Sequence, residues 1–511
     1  MSVDLATRHR RMIAAVALLA ASCGAAGMTA GAASPATTEP TGTLRVAPNT
    51  NLQTFDPARV QNAQLFYLQP VYDTLLRLDE ENTPQPGVAE SWEWDGTTAT
   101  LSLREGPAFA DGTAIDAEAV VANIERFATV GGAAFATLSS VEATDDRTVT
   151  LTFDGPAPTL LVDLAQAPGM LVNPSSFDGT TFETSPGGTS GPYVLDPSTS
   201  AAGDRFVYVP SENYWDASRQ TVARLEIVPI TDEAARANAL QNDEVDVTVL
   251  GEAQVDQFIS QGFETSSTLG FVWYAVVLDR DGTMLPALAD ARVRQAMAMA
   301  IDREAIAEGV FFGHAEPTTQ PYLDGELGHV AALDDALAYD PDAARALLAE
   351  AGYADGFELT VPAIPSTQTF AQALANYWSE IGIDTSVELV QAGGMAEQVR
   401  SGGYPVFVTP TPIPDPSKWH LWLWTEDAPY NLAWGVVDEE LVDMANAAAA
   451  PVVADERQAA YDVLFGRVVG DGIIVSVVRG EQIALYADDV SDVVWHTGEF
   501  FPDPVGIGVG T

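Results

Sequence analysis

The sequence predicts an α/β protein of more than one domain, and three observations carry that expectation. The chain has 511 residues, long for one hydrophobic core, which suggests two or three domains. After Phe271, helix-period and strand-period segments alternate, the pattern of a layered α/β sheet. Between about residues 60 and 180 the texture is instead one of hairpins with an occasional helix.

Composition excludes several classes. A hydrophobic content of 47% with 10 Trp allows packed interiors and excludes global disorder. The formal charge is −49, from 72 acidic residues against 23 basic ones, and Lys418 is the only lysine. Such a surface repels nucleic acid and anionic membranes, so no nucleic-acid partner is expected.

At the N-terminus, Arg8, His9, Arg10 and Arg11 form a basic head before a short apolar run from Met12 to Ala21. The run is too short for a stable span and reads as a secretory signal. Leu19-Ala20-Ala21-Ser22-Cys23 resembles a bacterial lipoprotein cleavage site, with Ala20 where Leu is commoner. That likeness implies a diacylated Cys23 anchoring the protein to the outer face of the membrane, since stable anchoring takes more than one acyl chain. Ordinary signal-peptidase cleavage near Ala33 is the alternative, giving a secreted or periplasmic product. One cysteine leaves no internal disulfide framework.

Residues 24–41, rich in Gly, Ala, Ser, Thr and Pro, read as a flexible tether. Gly42–Ala47 is a first strand, followed by a loop whose polar residues Asn49, Asn51 and Gln53 are candidate ligand contacts or plain surface. Trp92-Glu-Trp94 and Thr98–Leu101 flank the hairpin signal Asp95-Gly96. Val149, Leu151 and Phe153 mark a half-buried strand, and Asp116 can cap a helix whose apolar face is Val120, Val121, Ile124 and Phe127. A helix from about Asp232 to Gln241 leads into the strand Val245–Val249. The apolar run Phe271–Leu278 follows as a strand, in which alternation lets at most one of Trp273 and Tyr274 face a cleft.

Next comes Asp290–Ile306, in which Val293, Ala296, Met297, Ala300 and Ile301 recur at the spacing of one buried helical face. Asp290 can cap its start, and Asp302 a second short helix ending at Gly309. Asp340-Pro341 begins a helix that Gly352 ends; Phe357–Val361 is a strand, about Phe370–Gly382 a helix, and Thr385–Val390 a strand. A last helix, about Glu456–Val469, precedes the apolar Ile473–Val478.

Motifs that carry chemistry are few. There is no His-Glu-x-x-His, no Gly-x-Ser-x-Gly elbow and no Walker-type Gly-Lys-Ser/Thr, and Gly506–Gly510 opens no helix. No metal site and no cofactor is expected. Carboxylates are abundant enough that a secreted hydrolase stays open from composition, though most acidic pairs should be solvated surface.

An ordered series of short stretches resembles the bacterial extracellular solute-binding proteins of family 5, the dipeptide, oligopeptide and nickel receptors of ABC importers. It runs through Phe55-Asp-Pro57, Val71–Leu76, Val88–Trp92, Leu103–Gly106, Phe109–Gly112, Gly191-Pro-Tyr193, Asn213-Tyr-Trp215 and Val245-Asp-Val247. Arg292–Met297, Ala300–Ile306, Tyr339-Asp-Pro341, Leu347–Tyr353 and Ile381-Gly-Ile383 complete it, covering nearly all of the chain after the tether.

The resemblance implies a two-lobed periplasmic-binding-protein-like (Venus flytrap) α/β fold with an extra α+β subdomain inserted in the first lobe. Mapped onto this chain, 1–23 is the signal peptide, 24–41 the tether, 42–60 the start of the first lobe and 61–185 the insert. Residues 186–270 continue the first lobe, 271–480 form the second and 481–511 return to the first. It implies no catalysis: a monomer holds a small solute, most readily a di- or oligopeptide, between the lobes and presents it to the permease transmembrane subunits. A ligand sensor without transport would use the same fold. In peptide-binding members a late-loop Asp holds the ligand's α-amino group; the best match is Asp415, with Trp419, Trp422 and Trp424 offering flat walls, and Trp273 or Tyr274 reaching in from the crossing strand. Asp279 stands where members often have Asn, which would alter the cleft's charge.

Overall fold

The computed structural model describes residues 39–510 apart from 80–81, 132, 179–180, 392–394, 396–397, 400, 413–414, 418–437, 451–452 and 497–498. Cys23, the signal, residues 24–38 of the tether, Lys418, Trp419, His420, Trp422 and Trp424 lie outside the described residues.

Two long strands organise the chain, Glu264–Val277 and Ile474–Tyr486, paired antiparallel along their length. Each crosses from one lobe to the other inside a nine-stranded sheet. On the first-lobe side Glu264–Leu269 pairs with Glu481–Tyr486, and Ile474–Tyr486 passes the pairing on to Val247–Val249, then Thr43–Ala47 and Arg224–Ile227. Thr43–Ala47 lies parallel to both of its neighbours, so the loop after it opens at the same sheet edge as the loops after theirs. On the second-lobe side Phe271–Val277 pairs with Val406–Pro412, and Ala315–Pro317 pairs with Val478–Gly480.

Burial on both faces explains the unbroken apolar run at Phe271–Leu278. Val272, Tyr274 and Val276 enter a cluster with the helices Glu439–Ala449 and Ala454–Gly470. Ala275 and Val277 enter the opposite cluster, under Ala291–Met299, Arg303–Gly309, Pro341–Glu350 and Gln368–Glu380. The ladder slips between Leu269 and Phe271, where the strand leaves the first lobe. Its first five residues, Glu264-Thr-Ser-Ser-Thr268, are polar and partly exposed, and this is why periodicity starts the strand only at Phe271.

The capping signals read at Asp116, Asp290, Asp302 and Asp340 act as such, and Asp232, read as the first residue of its helix, caps it from outside. Asp116, Asp232, Asp290, Asp302 and Asp340 each accept a backbone N–H in the first turn of the helix they precede. Val293, Ala296, Met297, Ala300 and Ile301 are all at most 1% exposed. The inserted subdomain is a four-stranded antiparallel sheet in the order Ala89–Trp94, Thr98–Leu103, Thr148–Phe153, Leu138–Asp145, with the helix Ala117–Val130 against it. The turn at its first hairpin uses Gly96 at φ +100°, a conformation that costs glycine nothing.

Several of the short stretches serve the first lobe's own packing. Asp56 is buried and takes two bonds from the Arg126 guanidinium, at 2.8 and 2.7 Å. Asp73, also buried, accepts from the Trp215 indole at 2.8 Å, and Arg77 and Arg104 lie over that ring. These paired, desolvated charges join segments far apart in sequence.

Candidate functional site

The edge where Thr43–Ala47 and Val247–Val249 end carries a cavity of about 290 Å³. Asn49 enters from the first loop, Glu252 from the start of the helix Glu252–Gln261, and Glu481 and Gln482 from the second crossing strand. Trp495 and Phe500, from the chain's return to the first lobe, form apolar walls, and Phe271 packs edge-on against Phe500 at 5.0 Å.

Carboxylates dominate this wall. Glu233 accepts from the Gly251 N–H at 2.8 Å and the Gln254 amide at 2.7 Å. Burial, with Glu233 adding repulsion, raises the Glu252 carboxyl above its usual value, while His314 pulls the other way. Arg236 supplies no free charge, because its guanidinium donates to the carbonyls of Val249, Ile230 and Thr231. The Gln482 Oε1 is buried without a partner among the described residues. It packs on Gly270, where a Cβ would stand 2.2 Å from it, so glycine is needed here for close approach. The arrangement suits an ammonium or amide group of a ligand.

A second cavity, about 230 Å³, lies between the inserted subdomain and the second lobe. Asp415 and Arg457 face Pro84, Trp94 and the Pro156–Pro158 loop across it. Asp415 pairs with Arg457 at 3.1 Å and accepts from the Ser417 N–H at 2.9 Å and hydroxyl at 2.7 Å. Burial first, and the Asp415 charge second, push the Tyr461 hydroxyl beside them up to about 12.

The structure therefore places the expected site residues apart. Asn49 lines the first cavity and Asp415 the second. Asn51 and Gln53 are exposed on the loop beyond Asn49 and line neither. Trp273 is half-buried between Phe311 and Phe370, at ring distances of 5.0 and 5.3 Å. Tyr274 is buried on the opposite face, its hydroxyl 2.9 Å from that of Thr411. Asp279 corrects an expectation: its carboxylate is 1% exposed and accepts the N–H groups of Thr283, Met284 and Leu285, so it shapes a turn and leaves the cleft's charge alone. Glu252, Glu481, Gln482 and Trp495 were not anticipated. The signal that could have found three of them is the polar Arg479-Gly-Glu-Gln482 continuing an apolar strand, and an aromatic Trp495 near the chain's end.

Among the described residues no group of three or more His, Cys, Asp or Glu side chains is arranged to hold a metal, and no helix is long and apolar enough to cross a membrane.

Comparison with known proteins fits this architecture. The chain is 28% identical over 380 residues to the glutathione-binding protein GsiB of Escherichia coli, covering 70% of this chain and 71% of that one. To the Salmonella paratyphi A protein of the same name it is 27% identical over 376 residues, with the same coverage. Among solved structures, the ABC transporter substrate-binding protein CtaP of Listeria monocytogenes superposes with a TM-score of 0.80 at 19% identity, over 93% of this chain and 100% of that one. DppA of Helicobacter pylori, in complex with the peptide STSA, gives 0.74 at 19%, over 92% and 98%. These structures share the two-lobed fold. The family model for the bacterial extracellular solute-binding proteins, family 5, matches residues 83–431, and the chain belongs to that family.

Proposed function

We propose that the protein is the extracytoplasmic receptor of an ABC import system that captures a di- or oligopeptide between its lobes and passes it to the permease. The observation that carries this reading is the acidic, aromatic-walled cavity at the base of the crossing strands, where Asn49, Glu252 and Glu481 stand ready for an ammonium group and peptide amides. It is supported by the relatives named for glutathione and by the solved neighbour that holds a tetrapeptide. Closure about the crossing strands adds contacts from the second lobe, and only those added contacts favour the closed state. We assign ligand contact also to Asp415 and to Trp419, Trp422 and Trp424, the last three lying outside the described residues. Cys23 carries the lipid anchor that keeps the monomer at the outer face of the membrane.

The test is a thermal-shift screen of dipeptides, tripeptides, sugars and nickel chelates. A binding peptide at a hundred times its Kd should stabilise by about 2.7 kcal/mol and raise the Tm by a few degrees. Asp415→Asn, which keeps an oxygen for the Ser417 N–H, should reduce that rise, and an unchanged rise would remove Asp415 from the site. A shift with sugars or chelates and none with peptides would overturn the peptide assignment.

A further inference from the structure

His314 sits where the second lobe meets the first, at the start of the short strand Ala315–Pro317 on the second crossing strand. It follows a helix of the second lobe, Arg303–Gly309, whose Ile306 and Ala307 are in that lobe's core. Its imidazole is mostly shielded from solvent and lies between carboxylates from different bodies. Nδ1 is 3.3 Å from Glu481 on the crossing strand. Nε2 is 3.7 Å from Asp256 on the helix Glu252–Gln261, which Phe258 anchors in a first-lobe cluster with Ala47 and Leu485. His314 is thus a second-lobe side chain holding a first-lobe acid across the point where the ladder slips between Leu269 and Phe271.

We propose that His314 is a proton-operated latch on the hinge: its protonation favours the arrangement in which the two lobes meet at Asp256, and its neutral form releases it. The groups around it make the sign definite. Glu252 and Asp256 face it from the first-lobe helix, Glu481 from the crossing strand, and Glu316 stands two residues on in its own strand. Glu308, on the preceding helix, comes within 3.9 Å of a Cβ placed on the adjacent Gly313. The nearest guanidinium on the crossing strand, Arg479, is committed to Glu326 and to backbone carbonyls. An imidazolium among acids gains attraction that a neutral ring lacks, and histidine changes charge in the range about pH 5–8. One partner, Asp256, is 82% exposed, so the ratio of the two arrangements should change on the order of two- to fivefold.

The inference rests on the two-lobed fold and does not depend on which solute is bound. It can be tested on the full-length chain without ligand. Donor and acceptor dyes are placed through Ile259→Cys in the first lobe and Tyr339→Cys in the second, both at exposed positions, with Cys23→Ser to leave only those thiols. Energy transfer is then followed from pH 5 to 8. The distance distribution should shift between the two ends of that range, and both His314→Gln and Asp256→Asn should flatten it. Asp256 is a surface side chain, so its replacement leaves the fold intact. A titration that persists in both variants, or a distance that does not respond to pH in the parent, would overturn the proposal.

Discussion

Replacing Arg479 by Met is expected to lower the unfolding free energy by about 2–3 kcal/mol, because a buried guanidinium's hydrogen bonds are lost while its partner Glu326, 39% exposed, still meets water. Arg479 is 2% exposed and lies in the second crossing strand opposite Val272. Its guanidinium donates to Glu326 at 2.8 Å, to the Pro321 carbonyl at 3.1 Å and to the Leu269 carbonyl at 2.6 Å. Leu269 is the last residue of the first crossing strand before the slip, so one side chain ties both crossing strands to a second-lobe loop. Methionine fills the space of the stem but leaves two carbonyls and a carboxylate without their donor. Arg479→Lys keeps the charge and loses the planar fork, so it should fall between the parent and the Met variant. Urea unfolding followed by tryptophan fluorescence checks this, and an unchanged midpoint in the Met variant would show that the crossing does not depend on Arg479.

Glu499→Gln should stabilise the protein at pH 8 and do little at pH 5. Glu499 lines a first-lobe cavity of about 210 Å³, accepting from the Gln69 amide at 2.8 Å and the His496 N–H at 3.0 Å. Burial first, and the nearby Asp503 charge second, push its carboxyl up to about 8. A folded-state value above the unfolded one means the folded protein prefers the acid form. Its contribution to stability is therefore complete below the unfolded value near pH 4.5 and is lost as the pH rises through about 8. The side chain keeps partial exposure, so the loss should be about 2–3 kcal/mol and below the full conversion of the shift. Glutamine has no proton to lose; its one oxygen can keep the His496 N–H, and its NH2 can donate to the buried Gln69 Oε1 once that amide turns over. The Tm difference between variant and parent, measured at pH 5 and pH 8, isolates this group from the background of a chain carrying −49 charges. An equal difference at both pH values would mean that Glu499 is not the titrating group.

Local order was legible because its causes are local. An Asp before a helix reaches N–H groups two or three residues on, so the caps at Asp116, Asp290, Asp302 and Asp340 could be read from spacing alone. The buried face from Val293 to Ile301 follows from the helical period. The crossing strands were legible only in their apolar halves. Glu264–Leu269 and Glu481–Tyr486 are strand because each finds the other across 212 or more residues, a pairing no window of sequence contains.

The site divides the same way. Membership in the solute-binding family, and with it the two-lobed frame, was present in the ordered series of short stretches, since each fits a turn, cap or packed pair that the frame requires. Which polar residues meet was not. Asp415 is a plausible ligand partner in sequence, yet the fold gives it Arg457 from a helix 42 residues on. Asp279 is an isolated acid in sequence, and a turn closes three N–H groups over it. Glu252, Glu481 and His314 are unremarkable surface residues by composition; Glu252 and Glu481 come to line one cavity, and His314 to lie beside Glu481 and Asp256, only when the crossing strands bring three distant segments together. Backbone preference and apolar period act over a few residues and are written in the chain directly. The charge a side chain faces depends on long-range pairing, and that is settled when the lobes assemble.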